Sequence, residues 1–248
     1  MRTALICNRW TMEFEDPPEE LADETPYEYR PFLYQIHQPR FQEYVSTSTS
    51  GGYELLKDLP PGQIVVEFFG GVGLQSLMVE KMLVPERHVI VEKDPLCVEH
   101  LRRIFTAPHI EIHQGDARDF IGKIQGDIYL LDCNGWSLSK LMDEWLPYLD
   151  ALFASEPEAI SWYDTSKAYF GVNRQRYSER LGEALTDFSS YGQALSRFFQ
   201  NRWEHSIAKM IHCSRPTYFL AQPWNGLGNS PFEEITIPKD SGGFAWKK

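Results

Sequence analysis

The stretch that most constrains the fold is Ile64–Ser76, which reads IVVEFFGGVGLQS. Its β-branched and aromatic residues are typical of a strand buried on both faces, and the glycines that follow allow a tight turn and the close approach of a ligand. A helical pattern begins at once, with Leu77, Met78 and Met82 on one face. A strand, glycine turn and helix in this order bring backbone N–H groups and a positive dipole end to one point, which favours a nucleotide-like ligand. A tight turn without a ligand is the alternative interpretation of the lone Gly71-x-Gly73.

The composition restricts the class of protein. The 248 residues are enough for one large domain with an appendage. No stretch approaches eighteen apolar residues and the N-terminal segment does not resemble a signal peptide, so we expect a soluble, cytoplasmic protein without a membrane partner. The four cysteines form no CxxC pair, and we therefore expect neither a metal site nor a disulfide framework.

The charge distribution bears on possible partners. A net charge of −11 argues against wide, nonspecific binding of nucleic acid, because Lys and Arg drive phosphate binding. The segment from Lys167 to Arg215 nevertheless carries eight basic residues against four acidic ones. This asymmetry is compatible with a local anionic partner, and equally with two differently solvated faces.

Strand and helix patterns alternate after Ile64. Apolar runs predict further strands at His88–Val91, Ile110–Ile112, Ile128–Leu131 and Ala159–Tyr163. Helical patterns separate them, beginning at Pro95, lying around Phe120–Ile124, and extending from Leu138 to Phe153. Repeated β-α units of this length predict a parallel sheet with helices on both faces. The segment Arg174–Phe199 that follows is predicted to form two helices.

The last two predicted strands fix the end of the sheet. Ser206–Cys213 and Thr217–Gln222 are separated by three residues, which is too short for a crossover and requires a hairpin. The last strand must therefore run antiparallel to its neighbour. The prediction is an α/β fold with a Rossmann-like, mostly parallel, seven-stranded sheet whose last strand is antiparallel.

Composition divides the chain into three segments. Residues 1–52 are acidic and aromatic; we expect a short strand at Thr3–Cys7, a loop over Glu13–Pro26, and a segment that acts as an N-terminal cap or a linker. Residues 53–224 hold the alternating pattern and form the predicted catalytic domain. Residues 225–248, rich in Gly and Pro, are predicted to be an irregular tail.

Acidic residues follow four successive strands. Ligands of open parallel sheets bind beyond the carboxyl ends of the strands, which makes these positions candidates for a binding site. Glu92 lies nineteen residues after Gly73, where a carboxylate can accept hydrogen bonds from ribose hydroxyls. Asp116, after the third strand, is placed to accept one from the amine of an adenine. A surface turn is the alternative for each. The four acids are Glu67, Glu92, Asp116 and Asp132.

These features resemble the class I S-adenosylmethionine-dependent methyltransferases. The matching motifs are Glu67-x-Phe69-x-Gly71-x-Gly73, Val91-Glu92-Lys93-Asp94-Pro95, Gly115-Asp116-Ala117 and Asp127–Asp132. The terminal hairpin is similar to the family's reversed seventh strand. The resemblance covers roughly Tyr53–Trp224 and implies an enzyme, a transferase, that uses S-adenosyl-L-methionine.

The resemblance also implies roles for single residues. The glycines pass close to the methionine part of the cofactor, Glu67 orders the loop or binds the cofactor's amino group, and Lys93 covers the adenine with its aliphatic stem. The implied cofactor-binding residues are Glu67, Phe69, Gly70, Gly71, Gly73, Glu92, Lys93, Asp116, Ala117 and Asp132.

The methyl acceptor is less constrained. The run Asp132-Cys133-Asn134-Gly135-Trp136 follows the fourth strand, and it contains neither the Asn/Asp-Pro-Pro-aromatic run of base amino-methyltransferases nor the Pro-Cys of cytosine-C5 enzymes. Asp132 and Asn134 are the candidate catalytic residues, as groups that orient the acceptor. Aromatic side chains that can stack on a planar substrate, or pack in the core instead, are Trp136, Trp162 and Tyr163.

Several functions remain open from the sequence. The first is a methyltransferase whose acceptor is a nucleic acid or nucleotide, with a small metabolite as the alternative acceptor. The second is a nicotinamide-dependent oxidoreductase, which shares the glycine turn and the acid after the second strand. The third is a non-catalytic, methyltransferase-like partner subunit. No pattern indicates the oligomeric state.

Overall fold

The computed structural model describes residues 2–7, 10–15, 52, 54–71, 73–131, 138–164, 166–212, 217–224, 226, 232–237 and 244–247. The strands within these ranges are β1 (Arg2–Cys7), β2 (Trp10–Glu15), β3 (Ile64–Phe68), β4 (Arg87–Glu92), β5 (Ile110–Gln114), β6 (Ile128–Leu131), β7 (Ala159–Asp164), β8 (His205–His212), β9 (Thr217–Pro223), β10 (Glu233–Thr236) and β11 (Phe244–Lys247).

Helices connect most of the central strands. They are α1 (Leu74–Met82), α2 (Pro95–Ile104), α3 (Ala117–Phe120), α4, α5 (Ser166–Leu181) and α6 (Phe188–Trp203). Helix α4 begins as Leu138–Lys140, continues through a π-helical segment, Leu141–Trp145, and ends as Leu146–Phe153. No helix in the described part of the chain is long and apolar enough to cross a membrane.

Eight strands form the central sheet in the order β10-β8-β9-β7-β6-β3-β4-β5. Strand β9 is antiparallel to both of its neighbours, β7 and β8, and the other paired strands are parallel. The predicted mostly parallel sheet with a reversed last hairpin strand is thus confirmed. Strands β1, β2 and β11 form a second, antiparallel sheet of three strands.

Burial explains why β3 lies in the middle of the sheet. Val65, Val66 and Phe68 are fully buried, as expected for a central parallel strand that is covered on both faces. One face packs against α4 and α6 through a cluster that includes Phe68, Tyr129 and Phe199. The other face packs against α1 and residues 54–56. The helices therefore cover both faces, and the carboxyl ends of the parallel strands share one edge.

The structure differs from the sequence-based prediction at three elements. The predicted seven-stranded sheet gains an eighth strand, β10, from the segment 225–248 that we expected to be irregular, and β11 lies in the same segment. β10 is short and its side chains are mostly exposed, so its sequence EEIT carries no apolar alternation. Strand β2 likewise includes Glu13–Glu15, which we expected to be loop.

The helix expected around Phe120–Ile124 lies earlier in the chain. α3 ends at Phe120, and Ile121 has an extended backbone, with φ −58° and ψ 130°. Asp116 caps the helix, because its carboxylate accepts a hydrogen bond from the Arg118 N–H. The cap fixes the start of α3 more firmly than the apolar spacing does.

Candidate functional site

The loop between β3 and α1 has an unusual backbone. Phe69, Gly71 and Gly73 adopt positive φ angles of 70°, 51° and 79°. A left-handed conformation is costly for a bulky residue such as Phe69, and such strain is concentrated at functional sites. The Phe69 N–H donates to the Val91 carbonyl at 2.8 Å, and its ring meets Trp145 edge-on at 5.8 Å. Contacts to β4 and α4 therefore hold Phe69 in place.

The three glycines of this loop serve two purposes. A Cβ on Gly70 would lie 2.4 Å from the Ile90 side chain, and one on Gly73 would lie 2.8 Å from Leu101 and Phe105. Both glycines allow the loop to pack onto β4 and α2. At Gly71, the nearest described neighbour of an added Cβ is the Phe69 carbonyl oxygen, at 3.9 Å. A ligand can therefore approach the backbone at Gly71.

Glu92 joins the loop after β3 to the loop after β4. One carboxylate oxygen, Oε2, accepts the Gly71 N–H at 2.8 Å, and the other, Oε1, accepts the N–H groups of Lys93 and Asp94, both at 2.7 Å. A carboxylate oxygen has two acceptor positions, so Oε1 is filled and Oε2 retains one. The remaining position lies beside Gly71 and is suited to a ligand hydroxyl.

Asp116 lies at the end of the neighbouring strand. The Gly115 N–H donates to the Glu92 carbonyl at 3.0 Å, so Glu92 and Asp116 lie at the same edge of the sheet. The Arg118 guanidinium donates to Oδ1 at 2.8 Å and to Oδ2 at 2.7 Å, and these hydrogen bonds lower the pKa of Asp116 to about 2. The Lys93 ammonium is 4.0 Å from Oδ2, and its side chain is 76% exposed. Ala117 is buried at the first position of α3.

Arg118 was not predicted from the sequence. An acid that both caps a helix and pairs with the residue two positions later has no strong sequence signal. The pair leaves one acceptor position on Asp116 Oδ2, because the Arg118 N–H and Nε fill Oδ1. Asp116 can therefore still accept one hydrogen bond from an amine.

Glu67 is buried beneath the loop, with 1% of its surface exposed. Its Oε2 accepts the Ser76 hydroxyl of α1 at 2.6 Å and lies 3.3 Å from His88 Nε2 on β4. These contacts fit the first of the two roles implied by the resemblance, namely ordering of the loop. The sequence did not reveal the contact of His88 with Glu67, because a histidine at the start of an apolar strand is an ordinary strand residue.

The candidate acceptor residues are only partly described. Asp132, Asn134 and Trp136 lie outside the described residues, as does the side chain of Tyr163, and their roles remain predictions. Trp162 lies in the core, 1% exposed, and stacks between Phe199 at 4.9 Å and Phe219 at 5.2 Å. The expected contact of Trp162 with substrate does not fit this position, because α6 covers the face of β7 to which the indole points.

A buried carboxylate lies at the end of β7. Asp164 accepts hydrogen bonds from the Ser166 N–H and, at 3.0 Å, from the Tyr191 hydroxyl, and burial raises the pKa of Asp164 to about 6. The Ser166 hydroxyl oxygen accepts the Leu138 N–H at 3.0 Å. These bonds join β7 to the starts of α4 and α5 and to α6. Sequence reasoning did not assign this cluster, since its partners come from separate helices.

The fold is that of a known class. No family model and no curated protein matches the sequence. A solved structure of a putative S-adenosylmethionine-dependent methyltransferase from Streptococcus mutans superposes with a TM-score of 0.50 and 11% identity, covering 71% of this chain and 49% of that chain. The reversed last strand that the resemblance implied is β9, and it lies between β7 and β8. The chain has the class I methyltransferase fold.

Two further solved structures are similar at lower scores. TYW2 of Pyrococcus horikoshii has a TM-score of 0.48 and 16% identity, covering 70% of this chain and 61% of its own. A putative RNA methyltransferase from the same organism has a TM-score of 0.46 and 14% identity, covering 84% of this chain and 97% of its own.

Proposed function

We propose that the protein is an S-adenosylmethionine-dependent methyltransferase that acts on a nucleic acid or nucleotide. The observation that carries the proposal is the arrangement around Glu92. Its carboxylate fixes the glycine loop through the Gly71 N–H and retains an acceptor position beside an open backbone. A nucleoside needs such a site, with a hydroxyl acceptor next to a loop that no side chain obstructs.

The neighbouring residues extend this site across the edge of the sheet. Asp116 retains one acceptor position, and it lies one strand away from Glu92. The exposed stem of Lys93 lies between them. An adenosine whose ribose lies at Glu92 and whose amine lies at Asp116 would therefore direct its 5′ substituent towards Gly71. In this arrangement Phe69, Gly70 and Gly73 shape the loop, and Glu67 supports it from beneath.

Positioning accounts for most of the catalysis that these residues can supply. Bound S-adenosylmethionine supplies an already activated methyl group, so the protein need only hold the acceptor in line with it. Asp132 and Asn134 follow β6, and we assign them to acceptor orientation. If the acceptor atom must lose a proton, Asp132 is the base within this proposal.

The choice of acceptor rests on exposed basic side chains of α5. Several basic residues of the later segment are already paired: Arg180 with Asp143, Arg202 with Asp150, and buried Lys209 with Asp58. The support for phosphate binding is thus narrower than the sequence suggested. It comes from exposed side chains of α5, namely Lys167 and Arg174, which lie about two turns apart, and Arg176, which is also 4.0 Å from Asp143.

A ligand-binding assay tests the cofactor. We expect S-adenosylhomocysteine to raise the melting temperature and NAD to leave it unchanged. Glu92→Gln should weaken S-adenosylhomocysteine binding by about tenfold or more, because a hydrogen bond to a charged group is worth about 1.5–3 kcal/mol. Glu99→Gln is the matched control, since Glu99 is an exposed residue of α2 that pairs with Arg103. Stabilisation by NAD alone would instead support the oxidoreductase.

A transfer assay tests the acceptor. Cofactor with a tritiated methyl group is incubated with separate pools of DNA, RNA, protein and small metabolites. Label in a nucleic-acid or nucleotide pool supports the proposal, and label only in metabolites would overturn its acceptor. Binding without transfer to any pool would indicate the non-catalytic subunit.

We place the protein in the cytoplasm, because widely spaced cysteines suit a reducing compartment.

A further inference from the structure

A chain of polar side chains runs from beneath the glycine loop to the surface. Ser76 donates to Glu67 Oε2 at 2.6 Å, and that oxygen is 3.3 Å from His88 Nε2. His88 Nδ1 is 2.8 Å from Glu80 Oε1, and Glu80 Oε2 is 2.8 Å from His109 Nε2. The side chains in this series become more exposed towards the surface: 1% of Glu67 and 0% of His88 are exposed, against 17% of Glu80 and 34% of His109.

The chemistry of these partners determines where the proton lies. Both nitrogens of the His88 ring face carboxylate oxygens, and an ionised carboxylate only accepts hydrogen bonds. A neutral imidazole has a single N–H donor, so its second nitrogen would direct a lone pair at a carboxylate. Only the imidazolium can donate to Glu80 through Nδ1 and at the same time direct an N–H, rather than a lone pair, towards Glu67 Oε2, which is 3.3 Å from Nε2 without hydrogen-bond geometry. Without that charge, two carboxylates would lie close together in a largely water-free space.

The electrostatic balance agrees with this assignment. Burial lowers the pKa of His88, but the hydrogen bonds and charges of Glu67 and Glu80 outweigh it, and the net pKa is raised above its ordinary value. Burial raises the pKa of Glu80, but hydrogen bonds from His88 and His109 outweigh it and lower the pKa. The facing groups come from β3, α1 and the loop before β5. The Arg87–Glu111 pair of β4 and β5 lies on the opposite face of the sheet, because side chains alternate along a strand.

The three charged groups also join the elements that form the glycine loop. Glu67 belongs to β3, directly before the loop, and Ser76 and Glu80 belong to α1, directly after it. One oxygen of Glu67, Oε1, is buried without a hydrogen-bond partner. Attraction to the His88 charge therefore compensates a carboxylate that is incompletely hydrogen-bonded. Removing the charge would weaken the attachment of both ends of the loop.

We propose that His88, as a buried imidazolium, is a positioning residue for the glycine loop, holding Glu67 and Glu80 together so that the loop keeps its ligand-binding shape. The effect on ligand binding rests on the proposed function above. The support is fully present below the ordinary His pKa of about 6.5 and is lost as the pH rises through the raised pKa of His88. Affinity for an adenosine ligand therefore falls with rising pH, and any part of the fall that His88→Gln shares with the wild type comes from the ligand's own amino group.

The first test measures the His88 ring in the full-length protein without ligand. Ring nitrogen chemical shifts, recorded by NMR from pH 5.5 to 9, should show His88 charged at pH 6.5 and titrating above it. Glu80→Gln should lower the His88 pKa, because one of the two carboxylates is lost. A ring that is neutral at pH 6 would overturn the proposal, whether or not the protein binds any cofactor.

The second test measures binding of S-adenosylhomocysteine by calorimetry at pH 6.5 and pH 9. Affinity of the wild-type protein should fall by about tenfold or more, the equivalent of a coupling of one pKa unit. His88→Gln carries no charge and should bind weakly at both pH values. His113→Gln is the control, since His113 is a partly exposed residue of β5 whose partner is Glu111, and it should behave as wild type.

The outcomes separate the two proposals. If His88→Gln retains the wild-type pH dependence, His88 is not the positioning residue. If it does not fold, Glu80→Gln takes its place in the binding assay, and a reduced pH dependence is expected. If the wild-type protein binds no S-adenosylhomocysteine at any pH, the proposed function fails, and the ring titration still decides the charge of His88.

Discussion

Two halves of the sheet present carboxylates at the same edge but surround them differently. In the glycine-loop half, defined as β3, β4 and β5, Glu92 accepts three backbone N–H groups, from Gly71, Lys93 and Asp94. In the hairpin half, defined as β7, β8 and β9, Asp164 accepts the Tyr191 hydroxyl from a helix 27 positions later in the chain. Glu92 is half-buried and faces an open loop, whereas Asp164 is fully enclosed.

The difference shows what kind of site each half can form. Backbone donors remain in place whatever side chains surround them, so Glu92 is fixed and still has room for a ligand. Asp164 has lost its contact with water, and its partners join α4, α5 and α6 into one unit. The glycine-loop half thus has the room that the proposed binding site requires, and the described part of the hairpin half forms a rigid support.

The largest expected effect distinguishes a structural role of Trp162 from a role in substrate binding. Trp162→Ala should lower the free energy of unfolding by about 3–5 kcal/mol, because the indole is buried between Phe199 and Phe219. Urea denaturation measures the change. Trp224→Ala is the matched control, since Trp224 is 38% exposed, and should cost about 1 kcal/mol or less. A stable Trp162→Ala protein that had lost only acceptor binding would reverse this assignment.

The order of strands could be predicted from the sequence because each signal is local. The apolar runs, the Pro95 helix start and the three-residue link between the last strands each depend on neighbouring residues. Pro95 does begin α2, where Asp94 accepts the Leu96 N–H at 2.8 Å. β10 could not be predicted, because an exposed edge strand gains its stability from pairing with β8 rather than from its own sequence.

In the candidate site, too, only the residues placed by local signals could be predicted from the sequence. Glu92 and Asp116 were identified because their position after a strand is enough to bring them to the edge, and the structure places both there. For Trp162 the sequence left stacking on a substrate and packing in the core both open, because position along a strand does not reveal which face a helix covers; its burial favours packing. His88 and Asp164 depend on side chains from other elements, and no spacing rule relates them to Glu80 or Tyr191.

The second prediction concerns the pH dependence that Asp164 gives to the hairpin half. Its pKa is raised from 3.8 to about 6, so the folded state holds a proton that the unfolded state releases. The stability that this proton gives is present below about pH 4 and is lost as the pH rises through about 6. The loss is on the order of 3 kcal/mol.

Asp164→Asn should remove this dependence, because the amide does not titrate. Urea denaturation measures the free energy of unfolding between pH 4 and 7.5. As the pH rises, the wild type should lose about 3 kcal/mol relative to Asp164→Asn. Asp119→Asn changes an exposed carboxylate of α3 and should follow the wild-type curve. Parallel curves for the wild type and Asp164→Asn would show that Asp164 is ionised throughout, and that the hairpin half tolerates a buried charge.

The smallest expected effect concerns Arg118 of α3, whose guanidinium pairs with Asp116 in the glycine-loop half. The guanidinium occupies acceptor positions on both oxygens of Asp116 and competes with an adenine amine for Oδ2. Arg118→Gln should therefore raise the pKa of Asp116 from about 2 towards its ordinary value and tighten binding of S-adenosylhomocysteine. Half of the Arg118 side chain is exposed, so solvent screening limits the gain to less than about fivefold. Calorimetry at pH 7 measures it, with Arg103→Gln on exposed α2 as the control. A loss of binding greater than tenfold would mean that Arg118 itself contacts the ligand. Ligand binding in the glycine-loop half would then depend on a side chain that lies outside the sequence motifs.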